Sequence, residues 1–342
     1  MINTIATAPL ADHKLPALYI ALNDLLMEQV LNTDKIFLGK LQMTGPVSVQ
    51  HQLLKYAPGK RCVVAYYIYE LHTGQSIRLI GKLYRENRGQ HIFRRMSHLW
   101  EARRRNRGEA LMAHPLHYLP SVGIILQQQV TGSPLGEMLG STQLFDAVAS
   151  AGQNLAVLHE TYLPGLIVRE SMSDHIVKYC RPMPMQIAQD LPFLGPQIEA
   201  IVNRLVGDET LTDLPLTTVH NDLNLAHVYW DQGKTLFIDF DGLCLSHAAL
   251  DIANFRVALQ VYLGQQGELL ADCFLNAYLE ARGANEVPGL ARYESLAYLR
   301  RATICCRKQA QPNWLEQTEW LLQKSWAALE ERTAVYHANT LF

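Results

Sequence analysis

The sequence predicts an α+β fold of two lobes, in which a small lobe with an antiparallel sheet and one helix precedes a larger, mostly helical lobe. Strand-like segments are concentrated between residues 47 and 130, turn residues break the chain at 131–134, and helical periodicity dominates from there onwards. These observations divide the chain into an N-terminal helical segment (1–46), a small lobe (47–130) and a large helical lobe (131–342).

The N-terminal part begins with apolar residues at helical spacing over residues 14–32, which predicts an amphipathic helix. Three segments rich in β-branched and aromatic residues follow, at 47–56, 61–71 and 77–84. The breaks between them, Ala57-Pro58-Gly59 and Thr73-Gly74-Gln75, have the composition of turns. Two consecutive hairpins therefore predict an antiparallel meander.

The remaining elements follow in order. Residues 89–107 predict a basic helix, with arginines at Arg94, Arg95, Arg103, Arg104, Arg105 and Arg107. Residues 116–130 predict two further strands around Pro120, and residues 141–160 predict a helix capped by Ser141. A strand-like pair at 217–240 interrupts the large lobe, and helices resume at about residue 249.

Composition excludes several classes of protein. The 342 residues are 49% apolar and 18% charged, close to globular averages, so a disordered or fibrous protein is excluded. The net charge of -2 provides no general attraction to nucleic acid, and no nucleic-acid partner is expected. The N-terminus lacks the pattern of a signal peptide, no window is apolar enough to span a membrane, and the six cysteines form no CxxC pair. We expect a cytoplasmic monomer or dimer with reduced thiols.

Three residues carry the chemical argument. Lys82 lies inside the apolar strand LIGKLY and needs an anionic partner if its head is enclosed, although a lysine that reaches water from a strand edge is the alternative. Asp222 follows His220 in VHNDLNLAHV, and Asp239 ends the apolar strand LFIDF. Either aspartate alone is as well explained by a turn or a helix cap. In this order, however, the three match the needs of phosphoryl transfer from a nucleotide: a carboxylate for the hydroxyl proton, oxygen ligands for magnesium and a lysine on the phosphates.

The segments HNDLNLAHV, IDFD and LDIA resemble the HGDLxxxN, hIDFE and DLA series of the aminoglycoside phosphotransferase and choline kinase-like enzymes, a branch of the protein kinase-like fold. LIGKLYRENRG is similar to that family's strand lysine, IILQQQVTGSPL to its hinge between lobes, and AGQNLAVLHE to its "La.LH" helix. The resemblance covers residues 47 to 260 in the correct order. It implies a small nucleotide-binding lobe and an ATP-dependent phosphotransferase that uses Mg2+ and acts on a hydroxyl of a small molecule.

The resemblance also implies roles in the large lobe. Asp222 is expected to be the catalytic base or the carboxylate that orients the hydroxyl, and His220 is expected to brace its loop. Asp239 is expected to bind the magnesium that bridges the phosphates. Asp251 is expected to bond to the catalytic loop without taking part in the chemistry.

In the small lobe the resemblance implies that Lys82 contacts the α- and β-phosphates while it pairs with Glu101, nineteen residues further on. Glu86 is a competing partner for this lysine. The backbone of the hinge, at Gln128, Gln129 and Val130, is expected to meet the adenine.

Two departures from the family pattern limit the prediction. The family's second metal ligand is an asparagine, and the corresponding residue here is His227, whose imidazole suits zinc, nickel or copper better than magnesium. Three accounts are open: Asn224 supplies the amide oxygen, Asp241 binds the second metal, or the protein binds nucleotide without efficient transfer. A fourth alternative is that His227 has an ordinary structural role.

The second departure is the absence of a glycine-rich phosphate loop. The first hairpin turn, residues 57–61, contains a single glycine, whereas close approach of backbone amides to phosphates usually needs more than one. Lys60 or Arg61 could replace these backbone donors with a positive charge.

Three functions remain open on the sequence alone: a small-molecule kinase, a nucleotide-binding scaffold with weak or no transfer activity, and a binder that uses the basic helix. The acceptor is not identified. Aromatic residues in the C-terminal part could enclose a quaternary ammonium ion, but at helical spacing they are more often core residues; these are Tyr262, Tyr278, Trp314 and Trp320.

Overall fold

The computed structural model of the protein describes residues 11–105, 112–207 and 214–339. The chain forms two compact units: residues 1–131 with 236–241 make unit 1, and residues 132–235 with 242–342 make unit 2. Of the basic helix, Arg107 lies outside the described residues.

Unit 1 is built on a five-stranded antiparallel sheet in the order β1-β2-β3-β5-β4. Its strands are β1 (Val47–Ala57), β2 (Arg61–Glu70), β3 (Ser76–Tyr84), β4 (Pro115–Leu119) and β5 (Ile124–Gln128). Its helices are α1 (Leu18–Ala21), α2 (Asp24–Thr33), α3 (Lys35–Lys40) and α4 (Arg88–Arg105). The predicted meander and the two strands around Pro120 are confirmed.

The predicted single helix over 14–32 is wrong, because the segment is divided into short helices. The break comes at Asn23, whose side chain accepts a hydrogen bond from Leu26 N at 3.0 Å and so caps the start of α2. The apolar residues of these helices still pack against the sheet, as Leu18, Leu31 and Phe37 share one core with the strands. The hydrophobic periodicity therefore identified the buried face correctly and missed the cap that divides it.

Unit 2 contains the helices α5 (Leu144–Glu160), α6 (Met172–Tyr179), α7 (Pro184–Asp190), α8 (Gly195–Val206), α9 (Ala249–Arg282), α10 (Leu290–Lys308) and α11 (Trp314–Asn339). Helix α5 begins at Leu144 rather than at Ser141, whose hydroxyl accepts a bond from Gln143 N in the preceding turn. A kink at Gly264 (φ 55°) interrupts α9. Helix α10 packs against α9 and α11.

Short strands flank the two loops that contain Asp222 and Asp239. They are β6 (Ser133–Pro134), β7 (Leu216–Val219), β8 (Val228–Asp231), β9 (Lys234–Phe237) and β10 (Cys244–His247). Strands β7 and β10 pair with each other, and β6, β8 and β9 form a second small sheet. The chain passes into unit 1 within β9 and returns to unit 2 after Asp241.

The sheet-containing N-terminal part and the helical C-terminal part confirm the predicted α+β class. Within the described ranges, no helix has the length and apolar character needed to cross a membrane. All six cysteines are free thiols.

Candidate active site

Lys82 lies on β3, in the middle of the sheet of unit 1. Its neighbour Gly81 faces the buried Tyr66 ring, and a Cβ there would lie 2.5 Å from Tyr66 Cε2, so this position requires glycine unless the ring moves. The lysine is only 7% exposed, and its Nζ donates a hydrogen bond to Asp239 Oδ1 at 2.9 Å. The lysine does have the anionic partner that its apolar strand required.

Asp239 and Asp241 follow β9, at the point where the strand ends and the short 3₁₀ turn Phe240–Gly242 begins. Asp239 has a φ of 65°, and this left-handed conformation turns the chain directly after Phe237 and Ile238. The apolar strand brings the chain into the unit, and the turn presents two carboxylates together.

Arg61 bridges these two carboxylates. The turn after β1 places it at the start of β2, where its Nη1 lies 3.1 Å from Asp239 Oδ2 and 3.1 Å from Asp241 Oδ2. The Tyr84 hydroxyl, two residues beyond Lys82 on the same strand, donates to Asp241 Oδ1 at 2.5 Å. Two cations and one phenol thus surround two acids.

Burial and charge act against each other in this cluster. Burial alone lowers the pKa of Arg61, but the carboxylates of Asp239 and Asp241 outweigh it, and the pKa lies above its ordinary value. Burial raises the pKa of Asp241; the charge of Lys82 opposes this rise and the charge of Asp239 adds to it. The cluster is stable only while cations balance the two carboxylates.

The predicted pairing of Lys82 with Glu101 is wrong. Glu101 is exposed on α4, and Lys82 uses its charge on Asp239 at 2.9 Å and on Asp241 at 3.8 Å. The competing candidate Glu86 is also exposed, in the turn after β3. The physical reason is geometric: the fold brings Asp239 Oδ1 to 2.9 Å from Lys82 Nζ although the two residues are 157 positions apart in sequence.

The predicted adenine-binding residues lie at the end of β5. The backbone N–H of Gln128 donates to His114 O at 2.9 Å, while Gln129 and Val130 continue beyond the strand and are half-buried. The side-chain Oε1 of Gln129, like that of Gln127, is buried and has no hydrogen-bond partner among the described residues. Buried acceptors without donors are uncommon, and they fit a ligand that supplies N–H groups.

In unit 2, the buried carboxylate of Asp251 organises the loop that follows β7. Its Oδ2 accepts a hydrogen bond from His220 N at 2.6 Å and its Oδ1 accepts one from Asn221 N at 2.7 Å. His159, on α5, lies 3.3 Å from Asp251 through its Nε2. The expected bond between Asp251 and the loop of Asp222 is present.

Asp222 comes directly after these two anchored peptides. His220 is fully buried, and its Nδ1 lies 3.4 Å from the Asp222 N–H, which is consistent with a brace for the loop. The Asp222 carboxylate is 44% exposed and accepts a hydrogen bond from Arg300 Nη2 at 2.8 Å. The carboxylate of Asp222 is therefore open to solvent, while hydrogen bonds to His220 and Asn221 fix the loop just before it.

His227 and Asn224 are joined to the same loop. His227 Nδ1 lies 2.8 Å from the Asp222 backbone oxygen and 2.9 Å from Asn224 Nδ2. Asn224 Oδ1 accepts the N–H of Ala226 at 3.0 Å. Both side chains thus contact the backbone of the loop, which is an ordinary structural use of either residue.

The residues fit the ligands that the resemblance implies to different degrees. Asp239 and Asp241 offer the hard carboxylate oxygens that magnesium prefers, whereas His227 offers a nitrogen and Asn224 has its oxygen engaged by Ala226. In neither unit, as far as it is described, do three or more His, Cys, Asp or Glu side chains come together as a metal site. The carboxylate pair is the part of the predicted set that fits Mg2+.

Sequence reasoning missed two residues of these clusters. Tyr84 had a local signal, since it follows Lys82 at a spacing of two and therefore shares its face of the strand. Arg300 is 78 residues from Asp222 and had no local signal. For Arg61 the sequence predicts only a contact to phosphate, whereas the structure pairs it with Asp239 and Asp241.

Solved structures with the same fold support the kinase-like architecture. A choline kinase from Cryptosporidium parvum is 12% identical, covers 83% of this chain and 89% of its own, and has a TM-score of 0.58. A choline/ethanolamine kinase family protein from Mesorhizobium loti is 12% identical, with 89% and 94% coverage and a TM-score of 0.54. A spectinomycin phosphotransferase, solved with ADP and spectinomycin, is 12% identical, with 90% and 98% coverage and a TM-score of 0.54. The predicted two-lobed, kinase-like α+β fold is confirmed.

Sequence comparison gives the family. No curated protein matches this sequence. Residues 68–296, more than half of the chain, match the phosphotransferase enzyme family. This range contains Lys82, Asp222, Asp239 and Asp251, and the chain therefore belongs to the phosphotransferase enzyme family.

Proposed function

We propose that the protein is a kinase that transfers the γ-phosphate of ATP to a hydroxyl of a small molecule, with Mg2+. The observation that carries this proposal is the cluster in unit 1, where the Nζ of a buried lysine lies 2.9 Å from one carboxylate and 3.8 Å from a second, both just after β9. Family membership and the anchored loop of Asp222 in unit 2 support it. A protein that consumes ATP in this way fits a cytoplasmic location.

On the nucleotide side, Lys82 binds the α- and β-phosphates, and Asp239 and Asp241 hold Mg2+. The metal, when bound, neutralises charge on the phosphate oxygens. Arg61 already neutralises the two carboxylates, so it must release at least one of their oxygens when the metal binds. Its long side chain and its position at the end of a hairpin turn support such a movement.

The adenine lies at the end of β5. The backbone of Gln128, Gln129 and Val130 meets the ring, and the unpartnered Oε1 of Gln129 accepts a hydrogen bond from an N–H of the base. Burying an acceptor without a donor costs free energy, and the hydrogen bond from the base removes that cost.

On the acceptor side, Asp222 orients the hydroxyl and receives its proton. The hydroxyl oxygen forms the new bond to the γ-phosphorus, the bond from that phosphorus to the β–γ bridging oxygen breaks, and ADP leaves with the electron pair. Asp222 is suited to this role because its carboxylate lines a cavity and Asp251 fixes the two residues that precede it. His220 and His227 hold the loop, and neither is required to bind a metal.

The first test is a thermal-shift titration of the wild type and Asp239→Ala with ATP, with and without Mg2+. A ligand that binds the native state raises the unfolding midpoint by mass action. We expect a rise that depends on Mg2+ in the wild type and its loss in the variant, while Asp190→Asn, an exposed acid on α7, behaves like the wild type. The absence of any rise with nucleotide would refute the proposal.

The second test separates transfer from binding. Asp222→Asn should retain the magnesium-dependent midpoint rise and lose ADP formation in the presence of an acceptor by about 100-fold or more. A wild type that binds the nucleotide but forms no ADP with any hydroxyl compound would instead support the scaffold with weak or no transfer activity.

A further inference from the structure

A cavity of about 530 Å³ in unit 2 opens beside Asp222, between the Asp222 loop, α9 and α10. Its charged lining side chains, within the described part of the chain, are Asp222, Arg300 and Arg301. Asn224, Asn254 and Tyr262 supply further polar groups, and leucine, alanine and isoleucine side chains complete the wall. The size suits a small metabolite.

The two arginines have different partners. Arg300 donates to Asp222 Oδ1 at 2.8 Å and lies over the ring of Tyr179 at 5.2 Å, so its charge is balanced by the carboxylate. Arg301, the next residue on α10, has no carboxylate within ion-pair distance in the described ranges. Its Nη2 donates to Asn254 O at 3.4 Å, which is long for such a bond, and the side chain of Tyr262 is a further hydrogen-bond partner.

Arg301 is therefore a guanidinium with unused donors at the wall of a cavity. Burial lowers the pKa of Arg301, which reflects the cost of holding its charge away from water. An arginine nevertheless remains protonated in proteins, so the cost is reduced by an anion and not by loss of the proton. Its planar group binds carboxylates and phosphates through paired hydrogen bonds.

A second cavity, of about 420 Å³, shares Tyr262, Arg301 and Ile304 with the first. It adds Lys308 and no acidic side chain among the described residues. Around the two cavities, arginine and lysine thus outnumber the single carboxylate of Asp222, which Arg300 already neutralises.

Two aromatic residues that line these cavities and could bind a cationic acceptor already contact cations of the protein. Aromatic faces bind ammonium groups, but Arg301 lies over Tyr262 at 5.2 Å and Lys324 lies over Trp320 at 5.9 Å. Two acids of the neighbouring helices, Asp272 and Glu294, both bind Arg256 and line neither cavity.

We propose that the acceptor is a hydroxyl compound that carries a carboxylate or a phosphate, and that Arg301 binds this anionic group while Asp222 faces the hydroxyl. This inference rests on the proposed function, because it takes the cavity beside Asp222 as the acceptor site. Arg301 is then the residue that selects acceptors by their charge.

The test uses matched compounds that differ in charge: glycerol, glycerate, glycerol 3-phosphate and choline. Binding to the full-length protein is measured by isothermal titration calorimetry without nucleotide or metal. The variants are Arg301→Met, Arg301→Lys and, as a control, Arg307→Met, which removes an exposed arginine of α10 that lines neither cavity. Circular dichroism establishes that each variant is folded.

We expect an anionic member to bind the wild type at least about tenfold more tightly than glycerol or choline, the usual scale for a hydrogen-bonded charge pair. Arg301→Met should lose about tenfold in that affinity, Arg301→Lys less, and Arg307→Met nothing. The comparison of glycerate with glycerol 3-phosphate distinguishes a carboxylate from a phosphate.

Three results would overturn the inference: tighter binding of choline, no saturable binding of either anion, or equal losses in Arg301→Met and Arg307→Met. ADP formation from ATP, measured separately with the same compounds, tests the proposed function. Anion binding that depends on Arg301 without transfer to any of the four compounds would keep the anion site and count against the kinase function. Transfer to choline or glycerol alone would keep the kinase function and reject this inference.

Discussion

Asp251 is the single buried carboxylate on which the loop of Asp222 is built. Its carboxylate accepts hydrogen bonds from two consecutive backbone N–H groups, those of His220 and Asn221, and it contacts the imidazole of His159. Hydrogen bonds to a charged acceptor are about twice as strong as neutral ones. The exposed carboxylate of Asp222 is therefore positioned by a residue that is itself fully buried.

Asp251→Asn should destabilise the protein by about 3 kcal/mol, because an amide offers one oxygen to the two backbone donors and turns its NH2 group towards the other. Urea unfolding at neutral pH measures this loss. Asp190→Asn, which removes an exposed acid from α7, serves as the control. A loss below about 0.5 kcal/mol would show that the loop does not depend on this carboxylate.

His175, on α6, is a buried histidine whose protonation should couple to folding. Its side chain is fully buried, its Nε2 lies 3.3 Å from Ser246 Oγ, and its Nδ1 has no hydrogen-bond partner within the described ranges. Burial lowers the pKa of His175 from 6.5 to about 4. As the pH falls below 6.5 the unfolded chain takes up the proton first, so this contribution to stability is complete above 6.5 and is lost towards pH 4.

The wild type should lose about 3 kcal/mol of unfolding free energy from this group between pH 6.5 and about 4. His175→Phe cannot titrate and should show a correspondingly flatter dependence in urea titrations at pH 7, 5.5 and 4.5. The exposed His98 on α4 provides the control variant His98→Gln. Parallel curves for the wild type and His175→Phe would contradict the assignment.

At the scale of elements, the β1–β2 hairpin takes a different role from a glycine-rich loop. The Asp12 carboxylate accepts hydrogen bonds from Gly59 N at 2.7 Å and from the Tyr56 hydroxyl at 2.8 Å, which fixes the turn. The hairpin then directs Arg61 to the carboxylates of Asp239 and Asp241. This hairpin lacks the glycines of a phosphate loop, and the charged group that it provides is the side chain of Arg61.

Arg61→Met should strengthen the binding of Mg2+ in the absence of nucleotide, because it removes a cation that competes for the same two carboxylates. The measurement is the rise in unfolding midpoint on titration with MgCl2, which should be larger in the variant than in the wild type. Lys60→Met removes the same charge from the same turn without touching the carboxylates. Equal midpoint rises in the two variants would argue against competition at this cluster.

Two glycines of unit 2 separate conformational strain from packing. Gly132 (φ 85°) opens β6, and a Cβ there would lie 2.1 Å from the Trp230 backbone oxygen on β8. Gly140 has nearly the same conformation (φ 81°), and no atom lies within 4 Å of its Cβ position. Gly132 is required by its left-handed backbone and by the close approach of Trp230, whereas Gly140 is required by its left-handed backbone alone.

Gly140→Ala should cost about 1 kcal/mol in stability from its backbone conformation alone, and Gly132→Ala about 2 kcal/mol more from the overlap with β8. Urea unfolding of the two variants gives the difference directly. Similar losses in both would show that β6 can move away from β8 at little cost.

At the scale of the whole molecule, the residues of the proposed reaction belong to two compact units. Unit 1 contains Lys82 and the two carboxylates, and unit 2 contains Asp222 and the arginine-lined cavities. Trp100 is the sole tryptophan of unit 1 in the sequence, and it stacks on His114 at 4.3 Å. Its fluorescence therefore reports on the packing of the unit that we expect to bind nucleotide.

ATP with Mg2+ at about 100 times its dissociation constant should stabilise the unit that binds it by about 2.7 kcal/mol. The signal of Trp100, obtained as the difference between the wild type and Trp100→Phe in urea titrations, should shift to higher urea. Addition of EDTA should reverse the shift. A Trp100 signal that does not respond to the nucleotide would place any binding outside unit 1.

The sequence by itself determined the features that depend on local pattern. The strands of the meander, the lysine inside an apolar strand, the aspartate at the end of another and the order of the family motifs all follow from residues within a few positions of one another. The buried face of the N-terminal helices was also predictable, because hydrophobic periodicity is local, although the cap at Asn23 was not recognised.

Only the tertiary structure decided which charges meet. Lys82 pairs with Asp239 instead of Glu101, Arg61 bridges two carboxylates and Arg300 contacts Asp222, all across separations of 78 to 180 residues. Such partners depend on where the chain returns after folding, and no local pattern encodes that distance. The same reason explains why two of the aromatic residues that suggested a cationic ligand, Tyr262 and Trp320, already contact Arg301 and Lys324 of the protein itself.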